Sequence, residues 1–579
     1  MRSGLVRAGA LLVACAAPVG CAGAPKAFPI REPFTRDTDL EPVSVRCEKR
    51  PSEKDANHVS CAPEPYVSPL AWDAADNTFF RPISKIFAVD PPKEARNVNA
   101  FDEVPDSAWF TNRIGKRKIP LDELVRGACK VDDMLDPDSA KPGEYVIDQG
   151  KPNGASPGFR VKAFGKKKYM FKTDFVKEPE RPSAAAAIGA AIYHTVGFNT
   201  SCEQIVYVDP KVFELKKGLT VTANDGVTRP FDKAALDKVI SEAGKRGDKR
   251  RFQVSAWLGG FLIGPFKYEG TRADDPNDVI PHEDRRDIGG ARLVAAWMHH
   301  FDAREQNSMD SWMAVDKDNP ESSPGWVKHF YLDTSDSLGS LWDWDGISRR
   351  MGDSHLLDFE DIGTDFITFG VIERPWERKQ ITKGMEMFGY FHWKEFDPER
   401  WRNEYPNPAF ARATEHDNAW MARILSHYDR ADIRALVGLG KFTNPAAEDF
   451  LTEVLEQRLR KILERYLTRL SPIGEVHIDA ASRLCGTDLA RRRAVRPEGE
   501  FRYRAVLKSD RGARYVKVDV EPEGRVCVTL PHVAIDGGGP AHLTVTIENG
   551  VAAAPLEAHV YDRGPSQGYQ VVGVSRPDP

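Results

Sequence analysis

The chain has 579 residues, of which 41% are hydrophobic and 29% charged, with 81 Lys and Arg against 86 Asp and Glu. That length exceeds what a single hydrophobic core serves, so two or more domains are expected. A net charge of −5, spread over so many ionisable groups, gives no electrostatic case for a nucleic-acid partner.

Arg2 and Arg7 precede the short apolar run AGALLVACAAPVG, a signal-peptide pattern too brief to span a bilayer. Two cysteines close it. Leu12-Val13-Ala14-Cys15 carries the better lipobox letters, whereas Cys21 leaves the more workable apolar run, and both resemble bacterial lipoprotein attachment sites. The alternative is an ordinary secretory signal cleaved near residues 22–24. Residues 1–21 are read as a lipoprotein signal, which places the protein in the bacterial cell envelope, held to the membrane by an N-terminal lipid at its periplasmic or outer-membrane face. Residues 22–65, rich in Pro, Lys, Arg and Glu with few large apolar side chains, read as a tether. Export implies an oxidising compartment. Besides Cys15 and Cys21 there are Cys47, Cys61, Cys129, Cys202, Cys485 and Cys527, which allow 15 connectivities. The local pairs Cys47–Cys61 and Cys485–Cys527 are expected, the second within one β-rich segment. No CxxC or Cys/His cluster suggests structural zinc.

A globular body begins near residue 66, with NVNAFDEVPDSAWFTNRIG (97–115) as its most distinctive stretch. GASPGFRVKAF and KKYMFKTDF predict two strands behind a Gly-containing turn. PSAAAAIGAAIYHTVG predicts an Ala-rich helix with Ile188, Ile192 and Val196 on one stripe and Gly197 as C-cap. EQIVYVD predicts a strand, residues 211–250 a charged insert, and FQVSAWLGGFLIGPF a further buried strand or pair. In TRADDPNDVIPHEDRRDIGG, Asp274, Asp275, Asn277 and Asp278 lack the spacing of a calcium loop, so this loop is expected to cap the helix that follows. Residues 340–470 read as mostly helical, most clearly at 444–470, where Leu451, Val454, Leu455, Leu459 and Ile462 recur at helical spacing. Residues 475–579 alternate apolar with polar and predict an antiparallel β-domain, a small sandwich.

Candidate chemistry concentrates between Trp297 and Gly339. His300, Asp302 and Asn307 form H-x-D-x-x-x-x-N, and the apolar run His329-Phe330-Tyr331-Leu332 ends at Asp333. With Gly154, Gly158 and Lys172 upstream, this order resembles the protein-kinase-like fold. Phosphoryl transfer needs a cradle and a lysine for the phosphates, metal ligands, and a carboxylate that orients the acceptor hydroxyl. The resemblance implies an α+β protein with a bilobal kinase-like core, its β-rich N-lobe over 66–265 and helical C-lobe over 266–472, followed by the all-β domain at 473–579. It also implies roles. Gly154 and Gly158 would cover the phosphates of ATP, Lys172 would pair with them, and Glu180 or Glu178 would support Lys172. Asn307 and Asp333, with Asp336 as an extra ligand, would hold Mg²⁺ or Mn²⁺. Asp302 would orient or deprotonate an unknown hydroxyl acceptor.

Phe301 stands where typical kinases have Arg, Thr334-Ser335-Asp336 follows Asp333, and the expected Glu-bearing helix is nearly pure Ala. These departures make the chain more similar to atypical kinases of the HipA-like and CotH-like kinds. DEVPDSAWFTNRIG, GPFKYEGTRADDPNDVIPHE and the catalytic stretch resemble a family of bacterial secreted proteins over about residues 95–470. The envelope outside the inner membrane is poor in ATP, so two rival readings stand beside the kinase. One is a ligand-binding protein on an inactive kinase-like scaffold. The other is a metal-dependent hydrolase using His299, His300, Asp302 and Asp333.

Overall fold

The alternation read in the sequence becomes a sheet. In a computed structural model the described residues are 39–43, 47–49, 59–66, 70–86, 93–151, 156–164, 167–175, 177–222, 227–339, 341–533 and 540–579. The signal segment, Cys15, Cys21 and Gly154 lie outside them. Strands β1 (Tyr145–Gly150), β2 (Gly158–Ala163) and β3 (Lys167–Lys172) alternate buried and partly exposed residues, as a sheet covered on one face requires. They join β4 (Glu203–Val208), β5 (Phe213–Leu215), β6 (Lys245–Arg246) and β7 (Lys249–Ala256) in one seven-stranded sheet. Its order is β6-β7-β3-β2-β1-β5, with β4 pairing to β7. The charged insert therefore supplies two edge strands and a helix, Lys233–Glu242, that buries Leu236 and Val239. Phe213 packs on Tyr145, Phe159, Phe171 and Phe252 with ring centroids 5.1–6.3 Å apart, which fixes this core by aromatic edge-to-face contact.

Helix α1 (Arg181–Val196) is buried on all sides instead of along one stripe. Its alanines let neighbours approach from every direction, and a Cβ on Gly189 would meet the Thr334 hydroxyl at 2.4 Å. FQVSAWLGGFLIGPF divides between two sheets. Its second half, β8 (Phe261–Gly264), pairs with β9 (Ser308–Ala314), and β9 pairs with β10 (Gly325–Tyr331). The long insert between Asn307 and Asp333 is thus a β-hairpin.

Helix α2 (Arg286–Met298) is buried throughout, but the loop before it does not cap it. The cap comes from Asn97, whose side-chain oxygen accepts from the Arg286 amide at 2.9 Å. The acids of that loop are engaged elsewhere: Arg272 donates to Asp274, and His282 Nε2 lies 2.8 Å from Asp278. Helix α3 (Phe359–Thr368) and helix α4 (Pro445–Tyr466) follow, with Glu415–Leu425 and Arg430–Gly438 between them. Asn444 caps α4 by accepting from Ala446, and the periodic apolar residues of α4 enter the largest core.

That core also takes Val104, Trp109, Phe110, Leu124 and most of α1, whereas the seven-stranded sheet has its own, from Leu135 to Val254. The expected lobe at 66–265 is therefore shared between two cores. The tether reading also needs correction over its described part. Val43 donates to Gly325, and the Cys61 and Ala62 amides both donate to Glu321. Asp39, 4% exposed, accepts from the Ala108 amide. Residues 39–43 and 59–66 are docked on the β9–β10 hairpin and its surroundings. No described helix is long and apolar enough to cross a membrane.

Residues 473–579 form two facing antiparallel sheets, one opening with Ile473–Ile478 and the other built around Ala541–Glu548 and Leu556–Asp562, over a core of their own. Cys485 and Cys527 face each other in the strand register and are joined. Cys47–Cys61 is the other expected pair, and Cys129–Cys202 is the third bridge. The Cys485–Cys527 bridge closes 42 residues, so its removal should cost about 2–4 kcal/mol. Reduction is expected to lower the urea midpoint of the C-terminal domain, followed by fluorescence of a probe on that domain. An unchanged midpoint with both thiols free would count against it.

Candidate functional site

Lys172 ends β3 with its side chain only 12% exposed, and its ammonium lies 3.0 Å from Asp333 Oδ2. Asp333 follows β10 in a left-handed backbone (φ 45°), a conformation Asp tolerates better than most residues. Ser335 donates to its other oxygen at 2.6 Å. Burial pushes the Asp333 carboxyl up, but Lys172, the Ser335 hydroxyl and Lys151 outweigh that and hold it well below the usual carboxylate range. Burial lowers the Lys172 ammonium, and Asp333 and Glu203 more than restore it. Two residues 161 positions apart thus meet as a half-buried ion pair between the seven-stranded sheet and the segment leaving β10.

Asp302 and Asn307 form the second half of the site. The Asn307 amide donates to Asp302 Oδ2 at 2.8 Å and to its carbonyl at 2.7 Å. Arg304 lies 2.8 Å from the other Asp302 oxygen and 3.4 Å from Glu404. Burial raises the Asp302 carboxyl well above its ordinary value; Arg304 opposes this and a hydrogen bond with Glu404 adds to it. Asp336 stands between the two halves: burial and the neighbouring charge of Asp302 push it up to about 7, against Arg181.

The segment after Asp333 is clamped from α1. Arg181 donates to the Ser335 and Ser337 carbonyls at 2.7 and 2.9 Å and is paired with the buried Glu178, which also accepts from the Leu341 amide. Thr334 donates to the Ala185 carbonyl at 3.2 Å.

Not every expected residue joins this cluster. Glu180 does not reach Lys172; it accepts from the Thr443 amide at 2.9 Å and from the Thr443 hydroxyl. The acid that faces Lys172 electrostatically is the half-buried Glu203, which opens β4 and accepts from Ser255 and Gln253 at 2.7 and 3.1 Å. Gly158 lies in β2 opposite Lys172, where a Cβ would come within 2.3 Å of the Phe171 carbonyl, so strand contact alone requires glycine there. Lys151, at the mouth of the turn, donates to the Ser156 carbonyl at 2.8 Å. Burial and then the charge of Lys172 bring it down to about 8. Sequence reading missed Glu203 and Lys151. An acid heading an apolar strand and a lysine just before the Gly turn were the available signals.

Both histidines are buried. His299 caps α2 in a left-handed conformation, and burial followed by the charge of Arg458 pushes its imidazole well below its ordinary value. His300 Nδ1 lies 3.0 Å from the Tyr193 hydroxyl. Among the described residues, His299, His300, Asp302 and Asp333 do not converge as metal ligands. Among the described residues, the cluster at ligand distance is Asp479, Cys485 and Cys527, and its sulfurs are bonded to each other. Asp333 and Asp336 lie close enough for their charges to interact and offer hard oxygens, the kind of donor that suits Mg²⁺ or Mn²⁺, whereas the Asn307 side-chain nitrogen is committed to Asp302. Comparison with protein-family models, curated proteins and solved structures finds no match.

Proposed function

We propose that the protein is an atypical kinase-like phosphotransferase, with the seven-stranded sheet as one lobe and the helical core as the other. One observation carries the reading: the 3.0 Å pair of Lys172 with Asp333, across the junction of sheet and helical body, beside the Asp302–Asn307 unit. A lysine on a strand, an acid at the end of a distant strand and an Asp–Asn loop are the parts that phosphoryl transfer needs together. In this reading Lys172 and Lys151 hold the phosphates of ATP. Asp333, Asp336 and the carbonyl oxygen of Asn307 hold the divalent metal, which neutralises phosphate charge when bound. Asp302 orients the acceptor hydroxyl, and Glu203 keeps Lys172 charged when a phosphate competes for Asp333.

The full chain serves as the test object, because residues 59–66 are part of the body. ATP with Mg²⁺ or Mn²⁺ is expected to raise its thermal midpoint; at 100 times Kd the gain is about 2.7 kcal/mol. Asp302→Ala should keep most of that gain, because Asp302 faces the acceptor. No gain with any nucleotide and metal would sink the reading.

Binding without turnover is the second reading, and one observation favours it. Burial and Glu404 favour the protonated Asp302 carboxyl, which can orient a hydroxyl but cannot take its proton. A thermal gain with no ADP release over many hours, at any pH from 6 to 9, would select it.

A further inference from the structure

We infer that the cavity between the short helix Leu121–Arg126 and the C-terminal end of α1 binds the phosphate of a phosphomonoester. Arg113, Arg126, Lys130 and His194 line it, beside Glu123 and Ile119. Its volume of about 330 Å³ exceeds what a bare ion fills and falls at the lower end for small-molecule sites.

Close approach builds this wall. Gly127 has φ 55°, and a Cβ there would lie 3.2 Å from Ala191 Cα, so the chain leaving the short helix presses directly on α1. Cys129 follows on the same wall, held by its bridge to Cys202. Arg113 is placed by α1 itself: its Nη1 donates to the His194 and Phe198 carbonyls at 2.7 and 3.2 Å. That cap accounts for one nitrogen of the guanidinium. It does not account for the other cations gathered around the same space.

Those cations are not neutralised from within. Among the described residues no carboxylate stands within ion-pair distance of Arg113, Arg126 or Lys130. Glu123, the acid on the wall, is held through both oxygens by Arg117, and Asp106 accepts from the Asn112 amide at 2.8 Å. Burial brings Arg113 down to about 10 despite Asp106. Burial, then the charges of Arg113 and Lys130, lower the ammonium of Lys328 on β10. Burial, then Arg113 and Lys328, bring the His194 imidazole down to about 3, so it stands there neutral. These groups repel one another, and an anion relieves that repulsion. A carboxylate would answer a single charge. A phosphomonoester brings up to two, on three acceptor oxygens that an arginine fork and an ammonium can take together.

The test is phenylglyoxal labelling of the full chain, read arginine by arginine through peptide mass spectrometry. The three arms are phenyl phosphate, vesicles containing phosphatidic acid, and sodium acetate at matched ionic strength. Arg514, exposed on the C-terminal domain, is the control. Phosphate is expected to slow labelling of Arg113 and Arg126 several-fold more than acetate does, and to leave Arg514 unchanged. Protection by phenyl phosphate would assign a soluble ligand, and protection by the vesicles alone a lipid headgroup. Lys130→Glu, at an exposed position, is expected to remove the difference between phosphate and acetate at Arg126 while circular dichroism stays unchanged. No protection in either phosphate arm, equal protection at Arg514 or by acetate, or protection that survives Lys130→Glu would overturn the proposal. The readout is local to these arginines, so it stands or falls separately from phosphate binding at Lys172 and Lys151.

Discussion

Asp333→Asn is expected to abolish the thermal gain given by ATP with Mg²⁺ while leaving the chain folded. Asn keeps the shape of the side chain and tolerates the left-handed backbone at this position, so loss of charge is the main change. The side chain of Asp333 is 36% exposed, and water screens what its pairing with Lys172 contributes to stability. Lys172 also keeps Glu203 as a counter-charge. A metal held by Asp333, Asp336 and Asn307 loses its one strongly acidic ligand, and without the metal the phosphate charge is left unneutralised. The gain of about 2.7 kcal/mol at 100-fold Kd should fall to nothing within error, read by differential scanning fluorimetry, with unchanged circular dichroism as the fold control. A gain that survives in Asp333→Asn would move the metal, and the site with it, elsewhere.

Asp102→Ala is expected to destabilise the fold strongly. Asp102 sits among three arginines: Arg286, Arg576 at 2.7 Å, and Arg423 at 3.6 Å. The guanidinium groups of Arg286 and Arg576 are 2% exposed. Removing the acid leaves the buried Arg576 without its carboxylate partner, while Arg286 keeps Asp417 and Arg423 keeps Glu103; breaking a buried pair in this way typically costs about 3–5 kcal/mol. Arg576 also donates to the carbonyls of Ser471 and Ile473 at 3.1 and 2.7 Å, so Asp102 ties the C-terminal sandwich, its entry strand and the body together. Urea unfolding should show a lower midpoint, and limited proteolysis should open the chain near residues 471–473. The pH dependence follows from the same cluster. Burial raises the Asp102 carboxyl, but Arg286, Arg576 and Arg423 outweigh that and depress it far below its ordinary value. A depressed acid contributes stability that is full above its unfolded pKa and is lost as pH falls through and below the ordinary carboxylate range. Asp102→Ala should therefore flatten the acid limb of the stability curve. An identical urea midpoint for variant and wild type would refute this account.

These two residues mark what the sequence discloses and what it does not. Asp333 was legible because a strand of apolar residues ends on an acid, and H-x-D-x-x-x-x-N precedes it at a readable distance. Asp102 lies in the most distinctive stretch of the chain, yet nothing local gives its role, because its partners come from α2, from Glu415–Leu425 and from the C-terminal end. Trp109 in the same stretch is stacked on His329 at 3.5 Å and packs against His282, again partners far away in sequence. Glu180 was misassigned for the same reason: proximity along the chain to α1 placed it near Lys172, whereas its position before the first turn of α1 aims it at Thr443.

Local chemistry fixed what depends on neighbours a few residues apart. It determined β2 and β3, the long α4 and the β-domain at 473–579, because alternation and helical period are encoded in adjacent residues; the pairs Cys47–Cys61 and Cys485–Cys527 were expected from their shorter loops, among 15 possible connectivities. Tertiary structure alone decided that α1 is buried on every face, that Asn97 caps α2, and that residues 39–43 and 59–66 are docked on the body. It alone decided that Glu203 is the acid that faces Lys172 electrostatically. Burial and charge pairing act through space and carry no fixed spacing along the chain, so a side chain's partner across more than a hundred residues is set only when the cores close around it.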